Sequence, residues 1–237
     1  MNISPRRDGF PTLFVLAVCI ALLTAGPLPA APYEPPPTAI QALIGAAVFH
    51  DDSLTFREES TVDPGVHKET DLSQMPMLGF AAQYALAGQD SQAGFEGGLL
   101  FGWRSRSTSL TSNLEQTSVR IETSLWLLDL SMGLYASHVV ANRWRLSVGT
   151  GPLLLFANYS GETEETDTQG DTATTDTSEN AFGIGGYARA AIEFRLPDGA
   201  FMGIALRGVA SSLEFENTID TAGLEGVQGF ISYTRPF

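Results

Sequence analysis

"FGIGGYARAAIEFRL", residues 182–196, alternates two kinds of side chain along its length. One parity carries large apolar residues. The other carries glycine, alanine and a tyrosine together with Arg189, Glu193 and Arg195. A period of two is typical of a β-strand whose two faces lie in different surroundings. The stretch therefore predicts a strand with one bulky apolar face and one small, partly charged face.

The same alternation recurs from residue 39 to the end of the chain. In "GFEGGLLFGWR" (94–104), Phe95, Phe101 and Trp103 oppose glycines and Glu96. Brief turns at 88–91, 138–142 and 197–199 alternate with four longer polar connections. This organisation predicts an all-β fold, an eight-stranded antiparallel up-and-down barrel. The predicted strands span residues 39–50, 75–87, 93–104, 119–136, 143–159, 181–196, 201–215 and 225–237.

The composition of the small face indicates which of the two faces forms the outer surface of the barrel. A soluble lipocalin-like barrel would also alternate, but its outer face should carry about 25–35% charged residues. Here only 17% of the whole chain is charged, and the small face is mainly glycine, alanine and serine. Each strand can cross a bilayer when tilted, which takes about 9–11 residues. We therefore predict a transmembrane barrel, with the bulky face toward lipid and the small face toward the lumen.

Large aromatic residues cluster near the predicted strand ends, as in the aromatic girdles of membrane barrels. We expect Trp103, Trp144, Phe201 and Phe237 to form such girdles at the two membrane interfaces. The wider set with the same expected placement is Trp126, Phe156, Tyr159, Phe182 and Phe194.

The N-terminal segment has the organisation of a secretory signal peptide. Arg6 and Arg7 precede the apolar run "TLFVLAVCIALLTAG" (12–26), and small residues permit cleavage after Ala30. We expect residues 1–30 to be the signal peptide, 31–38 a Pro-rich periplasmic spacer, and 39–237 the barrel. Cys19, the only cysteine, lies within the apolar run, so the mature chain should contain no disulfide.

The final residues, "GFISYTRPF" (229–237), place Ile231, Tyr233 and Phe237 on one parity. This ending resembles that of bacterial outer-membrane barrels, whose last strand ends in Phe after alternating apolar residues. Arg235 and Pro236 depart from that pattern. The strand count and loop lengths resemble the small OmpA/OmpX-type barrels, in architecture rather than in motif. The resemblance implies a Gram-negative-type outer membrane, contact with its lipid and lipopolysaccharide, and recognition of the ending by the assembly machinery.

Six ionisable residues on the face assigned to the lumen, three acids and three arginines, are candidates for burial, while Arg104 and Arg195 on the same face are expected nearer the rims. An isolated buried charge costs several kcal/mol, and the planar guanidinium fork can pair with a carboxylate through two hydrogen bonds. We therefore predict a charge network that plugs the lumen, because eight strands leave an interior only wide enough for side chains. The alternative is that several of these side chains reach a wet rim. The six residues are Glu96, Asp129, Arg145, Arg189, Glu193 and Arg207.

Two strands show irregular patterns. In the fourth strand, Val119, Ile121 and Leu125 share one parity while Leu128 and the apolar residues after it share the other. A β-bulge near 126–127 would reconcile the two halves. Proline at position 152 cannot donate a ladder hydrogen bond, so we expect a local irregularity in the fifth strand.

Two long connections are acidic, residues 50–71 and 160–180, with seven Asp or Glu each. We expect them to be solvated loops, open to an extracellular ligand. Their carboxylates could bind divalent cations, but no motif supports a formed metal site, and no cofactor motif is present. The net charge of −14 disfavours nucleic acid as a partner.

Three functions remain open for such a barrel, which we expect to be monomeric. The first is a structural or surface-interaction role. The second is a lipid A-modifying enzyme, as in some similar barrels, using His50, His67 and Ser53 at the outer rim, with His138 in a periplasmic turn. The third is a narrow conduit for small apolar solutes, against which the lumen arginines speak. We favour the first, without catalysis.

Overall fold

The computed structural model describes residues 38–50, 54–59, 67–88, 90–111, 118–166, 172–215 and 223–237. The predicted signal peptide and most of the spacer lie outside these residues. Within these residues, ten strands follow one another. They are β1 (Thr38–Phe49), β2 (Thr55–Glu59), β3 (His67–Asp71), β4 (Gln74–Ala87), β5 (Ser91–Thr111), β6 (Ser118–Val140), β7 (Trp144–Thr166), β8 (Thr172–Arg195), β9 (Phe201–Ser211) and β10 (Leu224–Pro236).

Eight of these strands close into a barrel in the order β1-β10-β9-β8-β7-β6-β5-β4, while β2 and β3 form a separate hairpin. Every pairing is antiparallel, and β1 closes the barrel against β10, with Ala39 opposite Pro236. The predicted eight-stranded antiparallel up-and-down barrel is confirmed. Within the described part of the chain, no helix is long and apolar enough to cross a membrane.

The short turns lie at one end of the barrel, beside the start of β1 and the end of β10. The β6–β7 turn uses two residues with positive φ, Ala141 (51°) and Asn142 (56°), and Arg143 N–H donates to Val140 O at 3.1 Å. Asn adopts this left-handed conformation more readily than most residues, whereas Ala does so at a cost. We call this end of the barrel the short-turn end.

The outward face is a continuous apolar surface that winds around the barrel. Following cross-strand partners, the outward row leaves β8 at Ile192 and returns to β8 ten residues earlier, at Phe182. With a rise of about 3.3 Å per residue and about 4.8 Å between strands, this stagger tilts the strands by about 40°. The row contains Ile192, Ile204, Ile231, Ile44, Leu78, Phe101, Leu128, Phe156 and Phe182.

These outward side chains are exposed except Leu128, which is half-buried; Ile44, for example, keeps 64% of its surface accessible. A soluble barrel would point them inward, so their exposure on every barrel strand indicates that lipid covers them. The fold is thus a transmembrane barrel, with its bulky face toward the hydrocarbon.

The bulge predicted near 126–127 is wrong. β6 keeps one register with both neighbours through this point, where Trp126 faces Trp103 on β5 and Asn158 on β7. Its apolar residues change sides because the lumen is itself apolar away from the short-turn end: Leu125 is buried inside, whereas Leu130 is exposed outside. The real shift in register lies between β4 and β5, at Ala85–Ala87.

The irregularity expected at Pro152 is confirmed. The β6–β7 ladder pairs Ser131 with Leu153 and resumes only at Leu134 with Thr150. Proline has no N–H to donate to β6, so the ladder passes over it. The register is the same on both sides of the gap.

Residues 160–180 were predicted to be a loop; this is wrong for 160–166 and 172–180, which are strands, while 167–171 lie outside the described residues. β7 continues to Thr166 and β8 begins at Thr172, while β5 and β6 also extend beyond the predicted strands. We define the projecting sheet as residues 105–111, 118–124, 160–166 and 172–178. It is rich in serine and threonine, and threonine favours strands. In residues 160–166 and 172–178 neither face carries a large apolar side chain, so the hydrophobic alternation that reveals a strand is absent there. On β6, by contrast, Ile121 keeps the inward apolar parity and is buried.

A charge placed in the apolar belt tests the assignment of lipid to the outward face. We expect Ile44→Lys to lower the free energy of unfolding in phosphatidylcholine vesicles by about 2–4 kcal/mol, because the ammonium would enter hydrocarbon. The measurement is reversible urea unfolding followed by tryptophan fluorescence. The matched control, Ser178→Lys in the projecting sheet, should change the free energy by less than about 0.5 kcal/mol. Equal effects of the two substitutions would contradict a lipid-facing belt.

Candidate functional site

The six predicted lumen charges are all buried inside the barrel and meet as three ion pairs. Arg145 Nη1 lies 3.0 Å from Glu193 Oε2, and Arg189 Nη2 lies 2.5 Å from Glu96 Oε2. Arg207 donates two hydrogen bonds to Asp129, at 2.5 and 3.0 Å. Arg145 and Glu193 are cross-strand partners on the neighbouring strands β7 and β8. The other two pairs cross the lumen, from β8 to β5 and from β9 to β6, and so connect strands that are not neighbours.

Neutral side chains complete the environment of Glu193, which is fully buried. Its Oε1 accepts hydrogen bonds from Gln41 Nε2 (3.1 Å), Ser232 Oγ (2.9 Å) and Thr234 Oγ1 (2.6 Å). With Arg145 on Oε2, both oxygens of the carboxylate are occupied. These hydrogen bonds offset the cost of removing the carboxylate from water.

Glu96 is the centre of a second group that connects to the first. Besides Arg189, it accepts from Gln83 Nε2 (3.2 Å) and Tyr187 Oη (2.9 Å). Gln83 Oε1 accepts in turn from Arg145 Nη2 at 2.5 Å, and Arg189 also donates to the side-chain oxygen of Gln41. The two glutamines therefore join the Glu96 and Glu193 groups into one network.

The third pair lies next to this network. Arg207 donates to Gln228 Oε1 at 2.8 Å as well as to Asp129. Its guanidinium carbon also lies 4.5 Å from the ring centroid of Tyr187, a cation–π contact. Because Tyr187 also binds Glu96, its ring links the third pair to the other two. We call this whole set the lumen network.

Glycines make room for the network at two close approaches. A Cβ on Gly149 would collide with the Glu96 carboxylate, and one on Gly133 would lie 2.6 Å from Tyr187 Oη. A cavity of about 20 Å³ remains between Glu96, Tyr187 and Arg189, enough for about one water molecule. Arg189 Nε, which has no protein partner among the described residues, is the group such a water would serve.

The lumen beyond Asp129, away from the short-turn end, is filled by apolar side chains. On β6, Leu125 and Leu127 point inward next to Asp129. On β7, Leu153 and Leu155 also point inward, with Leu155 opposite Asp129. Tyr159, expected in an aromatic girdle, is buried here, because its parity on β7 is the inward one. The interior thus has a charged part and an apolar part.

The first long connection contributes to this apolar part, so its prediction as a wholly solvated loop is wrong. Leu54, Phe56 and Leu72 have no accessible surface. The ring of Phe56 stacks on Tyr159 at a centroid distance of 3.7 Å and meets Phe215 edge-on at 5.1 Å. The β2–β3 hairpin therefore places apolar side chains against the barrel lining at the end opposite the short turns.

Asp71, at the end of β3, is held by its surroundings. Partial burial raises the pKa of its carboxyl, but hydrogen bonds from Ser73 and the charges of Arg106 and Arg104 outweigh this and lower it. Ser73 N–H donates to Asp71 Oδ1 at 2.7 Å. Because the pKa of Asp71 is lower in the folded state, its ionised carboxylate stabilises the fold at pH values above the ordinary carboxyl pKa. This contribution to the free energy of unfolding is lost as the pH falls through the lowered pKa.

Three of the four predicted girdle residues lie on the outward face: Trp103, Trp144 and Phe237. Trp144 meets Phe194 edge-on at 5.4 Å. Phe201 is misassigned. It is only 7% exposed, because β9 begins on the inward parity, and its ring centroid lies 5.8 Å from the guanidinium carbon of Arg145.

The residues predicted to be read during assembly, Ile231, Tyr233 and Phe237, all point outward on β10 or at its end. Phe237 is 70% exposed, and its N–H donates to Thr38 O at 2.6 Å, so the last residue is bound to the first strand. Arg235 and Pro236, the departures from the family pattern, lie at the same rim.

The residues considered for catalysis do not form one cluster in the described part of the chain. His50 follows β1 at the end opposite the short turns, whereas His138 Nδ1 lies 2.8 Å from Ser91 Oγ near the short-turn end. Ser53 lies outside the described residues, as does the side chain of His67. Among the described residues, no group of three or more His, Cys, Asp or Glu could hold a metal ion.

Sequence reasoning missed the neutral members of the lumen network. They share the inward parity of the six charged residues, and Gln83 is the direct cross-strand partner of Glu96. That register could have identified them, since a buried carboxylate needs donors on every side. They are Gln41, Gln83, Tyr187, Gln228, Ser232 and Thr234.

Comparison with known proteins found no matching family model and no matching curated protein. Similar solved structures are "Ail, the attachment invasion locus protein of Yersinia pestis, in complex with the heparin analogue sucrose octasulfate" (12% identity, 84% of this chain, 99% of that one, TM-score 0.36) and "Neisserial surface protein A" (7% identity, 84% and 97%, TM-score 0.32). Likenesses at this level carry no argument about function. The resemblance to small eight-stranded barrels is confirmed by strand number, order and closure in this chain.

Breaking one ion pair from one side tests the energetic coupling in the lumen. We expect Glu193→Leu to lower the free energy of unfolding by about 3–5 kcal/mol, because it leaves the Arg145 guanidinium buried without its carboxylate. The double variant Arg145→Met/Glu193→Leu should recover much of this loss. Urea unfolding of the folded protein in vesicles measures both.

The exposed pair of Arg120 and Glu122, 2.5 Å apart, supplies the control. Arg120→Ala should change the free energy by no more than about 1 kcal/mol, since water already solvates both charges. The loss in free energy of unfolding of the double lumen variant could instead equal the sum of the losses for Arg145→Met and Glu193→Leu. That result would show that the two charges are not coupled.

Proposed function

We propose that this protein is an integral outer-membrane barrel that acts by surface recognition through its projecting sheet, and neither by transport nor by catalysis. In this proposal residues 1–30 are a cleaved export signal, and Ile231, Tyr233 and Phe237 are read by the assembly machinery. The outward position of these three residues on the last strand supports that reading. Lipid and lipopolysaccharide surround the barrel, which works as a monomer.

A closed lumen supports the exclusion of transport. The lumen network occupies the interior near the short-turn end, and apolar side chains fill the rest, including Phe56 and Leu72 from the β2–β3 hairpin. An apolar solute entering from outside would meet buried charges, and a polar solute would meet the apolar part. The narrow-conduit hypothesis therefore has no support in the contents of the lumen.

The observation that carries the proposal is the difference in length between neighbouring strands. β8 pairs with β9 only from Gly185 to Arg195, whereas its pairing with β7 continues up to Thr172. Among the described residues, no strand lies on the other side of residues 172–178. A strand edge of this kind offers backbone donors and acceptors to an extended peptide.

The charges around this edge indicate the partner's chemistry. Asp176 lies on the edge strand, and Glu162 and Glu164 lie on its neighbour β7. An extended segment rich in lysine or arginine would pair with the backbone and be attracted by these carboxylates. We infer a cationic, β-prone peptide segment as the class of extracellular ligand.

Conductance measurements test the closed lumen. We expect the purified protein in planar bilayers to give no stable single-channel steps. The double variant Arg145→Ala/Glu193→Ala should also give none, because the apolar part of the lumen still closes the path. Stable steps from the unsubstituted protein would overturn the closed lumen. Steps from the double variant alone would show that the charges are the only seal.

A synthetic peptide tests the edge. We expect a decapeptide of alternating lysine and valine to bind the protein in detergent micelles, and the same peptide with every second amide N-methylated to bind at least about tenfold more weakly, because it cannot complete the ladder. The control protein replaces residues 163–175 by Asn-Gly, which joins the cross-strand partners Glu162 and Asp176.

The control protein should retain the barrel, which the heat-dependent shift on SDS gels checks. It should bind the plain and the N-methylated peptide with equal affinity. If the intact protein bound both peptides equally, charge alone would account for the binding. That result would overturn pairing of the peptide backbone with the strand edge.

A further inference from the structure

The seam between β1 and β10 differs from every other strand pairing of the barrel. In each of the other pairs, the two strands follow one another in the barrel order, with only a turn, a loop or the β2–β3 hairpin between them. Such a connection keeps the effective concentration of the two strands high, so that they pair again after separating. β1 and β10 are connected only through the whole of the rest of the barrel.

The backbone ladder of the seam runs to the last residue of the chain. Phe237 N–H donates to Thr38 O at 2.6 Å. Hydrogen-bonded pairs alternate with non-hydrogen-bonded pairs in an antiparallel ladder, so Ala42 and Tyr233 form another hydrogen-bonded pair of this seam. If the seam opened, these backbone groups would lose their partners at the edge of the lipid.

Glu193 reaches this seam from two strands away. Glu193, Gly203 and Ser232 are successive cross-strand partners in one inward row on β8, β9 and β10. A Cβ on Gly203 would lie 2.5 Å from Glu193 Cα, so the position between them must lack a side chain. The carboxylate can therefore extend over β9, where its Oε1 accepts from Ser232 Oγ at 2.9 Å.

The same oxygen of Glu193 is bound by both strands of the seam. It accepts from Thr234 Oγ1 on β10 at 2.6 Å and from Gln41 Nε2 on β1 at 3.1 Å. Gln41 Nε2 also donates to Thr234 Oγ1 at 3.0 Å, and these two residues are direct cross-strand partners. Both are fully buried, as are Glu193 and Ser232. One carboxylate oxygen thus connects β1 with β10 from inside the lumen.

Strands on either side of the seam hold this carboxylate in place. Arg145 on β7 donates to Glu193 Oε2 at 3.0 Å, and it also donates to Gln83 on β4, the other neighbour of β1. Separation of β1 from β10 would take Gln41 away from Glu193 and leave a buried carboxylate short of a donor. Such a loss is costly, because the group has no water to replace the missing bond.

We propose that Glu193, Gln41, Ser232 and Thr234 form a latch that keeps the barrel from opening sideways between β1 and β10. We name these four residues the seam latch. It lowers the population of molecules whose seam is open while the rest of the barrel stays folded. The latch can form only when both end strands are in place, so closure of the seam is the step that completes the lumen network. The proposal does not depend on peptide binding at the edge of β8.

Hydrogen exchange of individual amides tests the seam latch. Opening of the seam would expose the amides of Ala42 and Tyr233, whereas Leu128 and Phe156, partners on β6 and β7, report on a ladder away from the latch. NMR of isotope-labelled protein in detergent micelles measures both sets of amides. We define the seam ratio as the exchange rate of the first set divided by that of the second.

Thr234→Val weakens the latch while it keeps the size of the side chain and the ion pair between Arg145 and Glu193. We expect this variant to raise the seam ratio by at least about fivefold, which corresponds to the loss of about one net hydrogen bond. The heat-dependent shift on SDS gels checks that the barrel still folds.

Glu193→Gln and Glu96→Gln are a matched pair of variants. Each removes the charge of one buried carboxylate from its arginine, but the partners of Glu96 lie on β4 and β8 and not on the seam strands. We expect Glu193→Gln to raise the seam ratio by at least about tenfold, because bonds to a charged acceptor are stronger. Glu96→Gln should leave the ratio unchanged within about twofold.

Two results would overturn the seam latch. The first is an unchanged seam ratio in Thr234→Val, a variant that decides the matter even if Glu193→Gln does not fold. The second is an equal rise in the ratio for Glu193→Gln and Glu96→Gln. Either result would show that the backbone ladder alone holds the seam and that the four side chains only fill the lumen.

Discussion

A strand surrounded by hydrocarbon cannot leave its backbone N–H and C=O groups without partners, and the pairing of β1 with β10 is what meets this requirement here. Without that pairing, two strand edges would face lipid. Closure also sets the geometry, since the ten-residue stagger around the barrel fixes the tilt of the strands. The apolar outward face and the crowded lumen both follow from a closed barrel of only eight strands.

The lumen shows how a small barrel can contain charge without water. Eight strands enclose too little space for hydrated ions, so each arginine must find its partners among side chains from other strands. Glu193 illustrates the requirement: it takes hydrogen bonds from β1, β7 and β10. Such a network is costly to break from one side, but a well-packed apolar core of equal volume could be as stable. The network therefore specifies one arrangement of the interior side chains, and it adds little to the free energy of unfolding beyond what an apolar core would give.

The sequence predicts the parts of this structure in which one environment governs a whole face. Strand number, the lipid-facing parity and the six lumen charges follow from alternation, because outward residues must be apolar along the full crossing. Alternation assigns residues to the wrong face, or predicts a false bulge, where the environment of one face changes along a strand. On β6, Leu125 and Leu130 are equally apolar but lie on opposite faces, and parity alone reads this as a bulge. Phe201 fails for the same reason, since an aromatic residue near a strand end can pack inward as readily as outward.

Hydrophobic periodicity does not reveal most of the projecting sheet, because residues 160–166 and 172–178 carry no large apolar side chain on either face. Its strands are held by their ladders and by continuity with the barrel below, where each of the four is already in register. That dependence explains why serine- and threonine-rich segments with many carboxylates form strands here, although a polar hairpin alone is marginal in water. The barrel thus serves as the template for the sheet. Buried side chains of the described strands occupy the interior, so we expect partners to contact the edge and the outward face of this sheet.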